Sequence, residues 1–180
     1  MAGLDVFCGR VELVIWITAG CGCDLDVRMD LKVEVEIMGL SIRRFKDSDL
    51  QLLYELLSDE EVMCYIEPPF SFEQARAFLE NAALTDIPLI YAVEDEIKVF
   101  IGYVIYHDYE ENSKEIGWIL KKQFWGKGFA EALTERLIQK ANIEGKSAVI
   151  ECSPEQEVTK HIAKKFGFMH VGLIDGCDVY

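Results

Sequence analysis

Two periodicities alternate from Leu40 onward: a spacing of two that builds strands and a spacing near 3.6 that builds helices. Residues 40–45 predict a short strand, after which Asp47 caps a helix with Leu50, Leu53, Tyr54 and Leu57 on one stripe. Pro68 and Pro69 forbid a continuous helix, so residues 65–70 form a loop. Ser71 with Gln74 three positions on is a capping box, opening a second helix with Ala75, Phe78, Leu79 and Ala82 on one face. Residues 87–94 and 99–106 are β-rich runs joined across 95–98, which predicts an antiparallel hairpin, and residues 110–114 turn into a further strand at 115–120. Next comes a helix carrying Ala130, Leu133, Leu137, Ile138 and Ala141, then a buried strand over 148–152 that Pro154 stops. A late helix shows Val158, Ile162, Ala163 and Phe166 on its apolar face; Gly167 ends it and residues 168–174 start a closing strand. The order β-α-α-β-β-β-α-β-α-β predicts one α/β domain with a mixed sheet and helices on both faces.

Composition narrows the setting. At 180 residues, 51% hydrophobic and 28% charged, the chain suits one domain with a proper core, and no stretch reads as a membrane span. Its net charge of −14 opposes nonspecific nucleic-acid binding and suits a cationic partner. Six scattered cysteines form no paired Cys-x-x-Cys units, so neither a zinc site nor a disulfide framework is expected, and a reducing cytoplasm fits best. No metal is expected.

Residues 1–37 read differently from the rest. Val11 to Ile17 could be a strand, and Thr18, Ala19, Gly20 and Cys21 faintly resemble a lipoprotein cleavage box. That reading is poor, because Asp5 offsets Arg10, Glu12 interrupts the apolar run and Thr18 replaces the usual Leu. Residues 32–35, Lys-Val-Glu-Val, can be encoded by a purine-rich string just upstream of Met38, like a bacterial ribosome-binding site. The expectation is that the folded domain spans 38–180 and that 1–37 are an extension or an artefact of an upstream start. Peptides from before Met38, found by mass spectrometry of the protein made from its own locus, would overturn it.

The candidate chemistry centres on residues 123–130, which run from the strand into the long helix through Gly126 and Gly128. Glycine there lets backbone N–H groups approach a ligand, the first-turn donors of a helix lack internal partners, and the helix dipole favours an anion. A pyrophosphate fits such a cradle; a tight turn with no ligand is the plain alternative. The third glycine of a dinucleotide fingerprint and the Gly-Lys-Ser/Thr ending of a Walker loop are both missing.

Gln123, Gly126 and Gly128 give Gln-x-x-Gly-x-Gly, which resembles the acetyl-CoA-binding motif of the GCN5-related N-acetyltransferase (GNAT) superfamily. Residues 156–168 resemble the same family's late helix, matching at Thr159, Ile162, Lys165, Gly167 and Phe168, with Gln156 where Asn is usual. The resemblance covers about residues 40–180, is closest in style to the ribosomal-protein N-terminal acetyltransferases, and implies a mixed, mostly antiparallel central sheet. It implies direct transfer of an acetyl group from acetyl-CoA to a primary amine, with a protein N-terminus, polyamine or small-molecule amine as acceptor. By family analogy a bulge in the strand before the cradle presents backbone from Trp118, Ile119 and Leu120 to pantetheine. The amides of Gly126, Lys127, Gly128, Phe129 and Ala130 hold the pyrophosphate, and Lys121, Lys122 and Lys127 add positive charge. The loop at 65–70 would help wall the acceptor site.

Direct attack needs a neutral amine, so a base must stand near the thioester. Glu115, on the strand face of Gly117 and Ile119, is the candidate; a solvated strand end is the plain alternative, with Glu61 or Glu67 then taking the role. For the acid, the tyrosine used by many relatives falls at Ala163 here, leaving Thr159 at the serine position of other relatives, with His161 a surface alternative or water completing the step. The missing tyrosine keeps open a second class of function, a catalytically silent acyl-CoA-binding module. Monomer and dimer both remain open.

Overall fold

The computed structural model describes residues 39–180. The expectations for 1–37, and the proposed start at Met38, lie outside the described residues. Strand β1 (Ser41–Arg43) leads through a 3-10 turn (Asp47–Asp49) into α1 (Leu50–Leu57), followed by a short α2 (Glu60–Met63). Asp59 caps α2 by accepting from the N–H groups of Glu61 and Val62, a helix that the sequence pattern did not announce because it is a single turn. The capping box at Ser71 and Gln74 forms as expected and opens α3 (Phe72–Phe78), which continues as a π-helical turn. Asp47 is not the cap it was expected to be. Asp49, buried beside it, accepts hydrogen bonds from both terminal nitrogens of Arg43 and from the Lys46 N–H, while Arg43 Nε reaches Glu94 at 2.7 Å. Burial pushes the Asp49 carboxyl up, yet Arg43 and the Lys46 N–H more than offset it and hold it below the usual range.

The hairpin of β2 (Ile90–Glu94) and β3 (Phe100–Asp108) and the strand β4 (Ser113–Leu120) form where expected, within a few residues. They belong to a five-stranded sheet in the order β1-β2-β3-β4-β5, antiparallel except for the β4–β5 pair. Helix α4 (Phe129–Ile143) crosses from β4 to β5 (Ser147–Val149). The expected strand over 148–152 is interrupted at Ile150. Residues before it pair with β4; Ile150 exchanges backbone hydrogen bonds with Tyr180, and β6 (Glu151–Cys152) pairs with β8 (Cys177–Val179). After α5 (Glu157–Lys165), the closing strand is also a hairpin, β7 (Gly172–Ile174) and β8, around Asp175 and Gly176.

Helices cover both faces. Leu53, Leu56, Phe78, Ala92 and Tyr103 pack α1 and α3 on one side, while Val104, Ile116, Leu133, Leu137, Ile150 and Ala163 pack α4 and α5 on the other. Leu53, Leu56 and Leu133 are completely enclosed, each contributing roughly 1.5–3 kcal/mol. Val158, expected on the buried face of α5, is 74% exposed; Ile162 and Ala163 are the residues that this helix buries.

Candidate active site

The site follows from how β4 loses a neighbour. β4 pairs with β5 only from Ser113↔Ser147 to Glu115↔Val149. β5 then changes partner, and residues 116–120 of β4 pair only with β3 among the described residues, so a cleft opens along their other edge. The bulge expected in β4 is not there: its ladder to β3 runs from Asp108↔Lys114 to Gly102↔Leu120 without a shift, and the irregularity lies instead between Val93 and Glu94. Divergence is therefore produced by the partner switch at Ile150. Gly102 matters to this arrangement, since a Cβ on it would lie 2.1 Å from the Ile119 carbonyl oxygen.

At the open end of the cleft, Gly126 and Gly128 have φ of 68° and 80°, left-handed values that strain other residues. A Cβ at either would meet nothing within 4 Å, so space stands open above the backbone. Gly128 is the N-cap of α4 and no side chain caps it. The opening amides thus keep their donors for a ligand, and the fifteen-residue helix directs its positive end there. Glu131 in the first turn would repel an anion, but Lys165 of α5 pairs with it at 2.5 Å. Phe129 packs against Phe124 at 6.0 Å between ring centroids.

The nearby lysines correct the expected charge. Lys121 pairs with Glu55 at 3.2 Å and Lys122 pairs with Glu61, so both charges are engaged across the groove to α1 and α2. Gln123 lines that groove with Glu55 and Asp59. Lys127 makes no ion pair among the described residues and lies 5.5 Å from the Phe124 ring centroid. Trp118 packs on the α4 side of the sheet and Ile119 on the α1 side. The Leu120 carbonyl is already engaged, accepting from Trp125 Nε1 at 2.8 Å.

At the closed end lies a set of side chains that the motifs did not reveal. Glu115 is no solvated strand end: it is 4% exposed, and its Oε2 sits 3.1 Å from His107 Nε2 on the facing strand. Burial lowers the His107 pKa, but the Glu115 hydrogen bond and charge outweigh it and raise it overall. Tyr109, in the turn after β3, donates its O–H to Glu151 Oε1 at 2.6 Å. Burial pushes the Glu151 carboxyl up; the Tyr109 bond draws it down, the Glu115 charge pushes it up again, and the result is raised. The register of a hairpin centred on residue 111 places His107 opposite Glu115, a signal available in the sequence. Nothing local marks Tyr109 or Glu151.

Glu61 lies on the surface with Lys122, and Glu67 is near enough to Tyr103 to raise that phenol's pKa beyond what burial alone does. Thr159 is half-buried on α5, and His161 is exposed on the same helix. Ala163 is fully buried in the core. Gln156 is turned back on its own loop, its Oε1 accepting from the Ser153 N–H at 2.9 Å. The cradle, Trp118 and Ile119 thus border one cleft, Glu115 lies at its far end, Thr159 comes from α5 and Gln156 is the N-cap of that helix.

Comparison with known proteins gives the class, an acyltransferase enzyme. The family model described as Acetyltransferase (GNAT) domain matches residues 40–169. The chain is 32% identical over 149 residues, 77% of its length and 84% of the relative's, to the uncharacterized N-acetyltransferase YnaD of Bacillus subtilis (strain 168). It belongs to the GNAT family of acetyltransferases. Among solved structures, a GNAT-family acetyltransferase from Bacillus anthracis is similar with a TM-score of 0.71 and 24% identity, covering 81% of this chain and 94% of that one. Spermidine N-acetyltransferase from Vibrio cholerae, in complex with CoA and spermine, is similar with a TM-score of 0.63 and 24% identity, covering 78% and 92%. These two likenesses speak for the fold. No helix among the described residues is long and apolar enough to cross a membrane.

Proposed function

We propose that this enzyme moves an acetyl group from acetyl-CoA directly to a primary amine that carries positive charge. The observation that carries the reading is the cleft itself: one unpaired strand edge leading to a glycine-opened helix whose first amides have no cap. The amides of Gly126, Lys127, Gly128, Phe129 and Ala130 would hold the pyrophosphate, with Gln123 beside them. Backbone of Trp118 and the Leu120 N–H, which alternate away from β3, would pair with pantetheine, with Ile119 between them in the β3 ladder. Gln156 and Thr159 would border the cofactor from α5, with Thr159 relaying a proton to the departing sulfur. Proton removal from the amine falls to the carboxylates at the closed end, of which Glu115 is one.

A cationic acceptor is supported by the overall charge of −14 and by the carboxylates gathered at that end. A protein of this fold that is crystallised with CoA and spermine points the same way. The serine position taken by Thr159, as in ribosomal-protein N-terminal acetyltransferases, keeps protein N-termini among the acceptors. The reading sets the enzyme in the cytoplasm, where the exposed Cys64 thiol stays reduced.

The test is release of free CoA when acetyl-CoA is offered with polyamines, aminoglycosides and N-terminal peptides in turn. Release with a cationic amine is expected. Binding of acetyl-CoA without release in any of these mixtures would favour the silent module instead.

A further inference from the structure

The strand that supplies Val149 to β4 continues to Glu151 with its side chains alternating, and the alternation fixes which face each one takes. Ile150 is 1% exposed and packs among Leu133 and Leu137 on the α4 side. Val149 and Glu151 therefore face the opposite side, that of α1 and α3. Glu115, paired with Val149 in β4, shares that face with Ile119, which packs against the α1–α3 core. Two carboxylates thus stand at the point where β4 and β5 part, one on each strand. They differ in what holds them. Glu115 is closed off and opposed by His107, whereas Glu151 is half-buried and held by a single phenol O–H.

We infer that Glu151, positioned by Tyr109, is the group that takes the proton from the acceptor's ammonium, while the enclosed Glu115–His107 pair fixes the charge behind it. This rests on the acetyl-transfer reading above. Glu115 is the less available carboxylate because it is enclosed and its Oε2 is held 3.1 Å from His107 Nε2. Glu151 is the better base because burial and the Glu115 charge raise its proton affinity toward that useful at neutral pH. The groups facing it are Tyr109 from the β3–β4 turn, Glu115 from β4, His107 from β3 and Asp175 from the β7–β8 turn. Glu110 adds its charge beside Tyr109.

The step balances. One proton passes from the ammonium to a Glu151 oxygen and later to water; the nitrogen lone pair forms the bond to the thioester carbon. The carbon–sulfur bond then breaks with its electrons on sulfur, and the second proton of the nitrogen goes to that thiolate. Products are the amide, free CoA and one released proton.

The experiment uses the full chain with acetyl-CoA and spermidine, or whichever amine of the panel above is turned over, and follows kcat/KM from pH 5.5 to about 9.5. Glu151→Gln is expected to lower kcat/KM by ~10²–10⁴ while acetyl-CoA binding and the circular dichroism spectrum stay as in the wild type. Its remaining rate should climb about tenfold per pH unit, tracking the neutral amine in solution. Tyr109→Phe removes the hydrogen bond that draws the Glu151 pKa down. Its acidic limb should therefore move to higher pH, a change that a merely structural tyrosine would not produce. A Glu151→Gln enzyme within about threefold of wild type, with an unmoved profile, overturns the inference and leaves the acetyl-transfer reading standing. If Glu151→Gln fails to fold, an unmoved acidic limb in Tyr109→Phe overturns it equally. A wild-type enzyme that binds acetyl-CoA and acetylates none of the amines overturns the reading and the inference together.

Discussion

The two ends of β4 offer a ligand different parts of the chain, and the proposed reaction would use both. Beyond Leu120 the site is backbone: two left-handed glycines, the uncapped first turn of α4 and open space above them. Around Glu115 it is side chain: a carboxylate and imidazole on paired strands, and a phenol and second carboxylate from a turn and a neighbouring sheet. A backbone site depends on local conformation, so it sits in one contiguous stretch and fails when a Cβ is added. A side-chain site is assembled by register from residues 107, 109, 115 and 151, and it fails by titration.

Gly128→Val should have the largest effect on acetyl-CoA binding. The substitution forces a β-branched residue to φ near 80° and fills the space where phosphate oxygens would meet the amides. Acetyl-CoA affinity should fall by about 10²-fold, because the side chain displaces the phosphate and charge-assisted hydrogen bonds of about 1.5–3 kcal/mol are lost. Calorimetry reads this directly, with circular dichroism confirming the fold. Undiminished affinity in a folded variant would remove the backbone end from the comparison altogether.

Glu115→Gln probes the other end. With Glu151 as proton acceptor, the loss should be about tenfold, and the acidic limb of the profile should move to lower pH. The sign follows from electrostatics: the Glu115 charge is one of the influences raising Glu151, and deleting it lowers the folded-state pKa. Tyr109→Phe shifts the same limb upward, so the pair of variants should bracket the wild type. A fall of ~10²–10⁴ with loss of the limb would instead return the base role to Glu115.

Trp125→Phe tests how the loop before α4 is held against the end of β4. It deletes the indole N–H that binds the Leu120 carbonyl, a neutral hydrogen bond of about 0.5–1.5 kcal/mol. If that bond sets the approach of the loop to β4, acetyl-CoA affinity should fall about fivefold with the acceptor's KM unchanged. An acceptor effect of equal size would mean that the two ends are coupled.

How much of this was legible follows from the same contrast. Gly126 and Gly128 announce the turn into α4 because both adopt left-handed φ, and the capping box at Ser71 announces α3 for a similarly local reason. Glu115 was visible as a polar residue on a β-rich strand, but its burial and its tie to His107 were not, since both depend on packing across β3. The interruption at Ile150 left no local mark, because a strand that changes partner keeps its apolar alternation throughout. The engagement of the lysines was not legible either, because Glu55 and Glu61, which pair with Lys121 and Lys122, come from helices some 60 residues earlier.

Lys127 supplies the smallest and most discriminating of these effects. It is exposed, belongs to the glycine loop and makes no ion pair among the described residues, so its charge remains available to an anion at the α4 N-terminus. An exposed charge contributes about 0.2–1 kcal/mol, and Lys127→Ala should therefore weaken acetyl-CoA binding by about two- to fivefold at low salt. Raising ionic strength to about 1 M shortens the screening length to roughly 3 Å, so most of the difference from wild type should vanish. Lys122→Ala serves as the comparison, because its charge is already matched by Glu61 and its removal should change affinity less. If Lys122→Ala costs more than Lys127→Ala, the ion pair to α2 opens when acetyl-CoA binds, and that lysine belongs to the backbone end after all. Equal, salt-insensitive losses would instead make both lysines packing residues and leave the anion to the amides and the helix dipole alone.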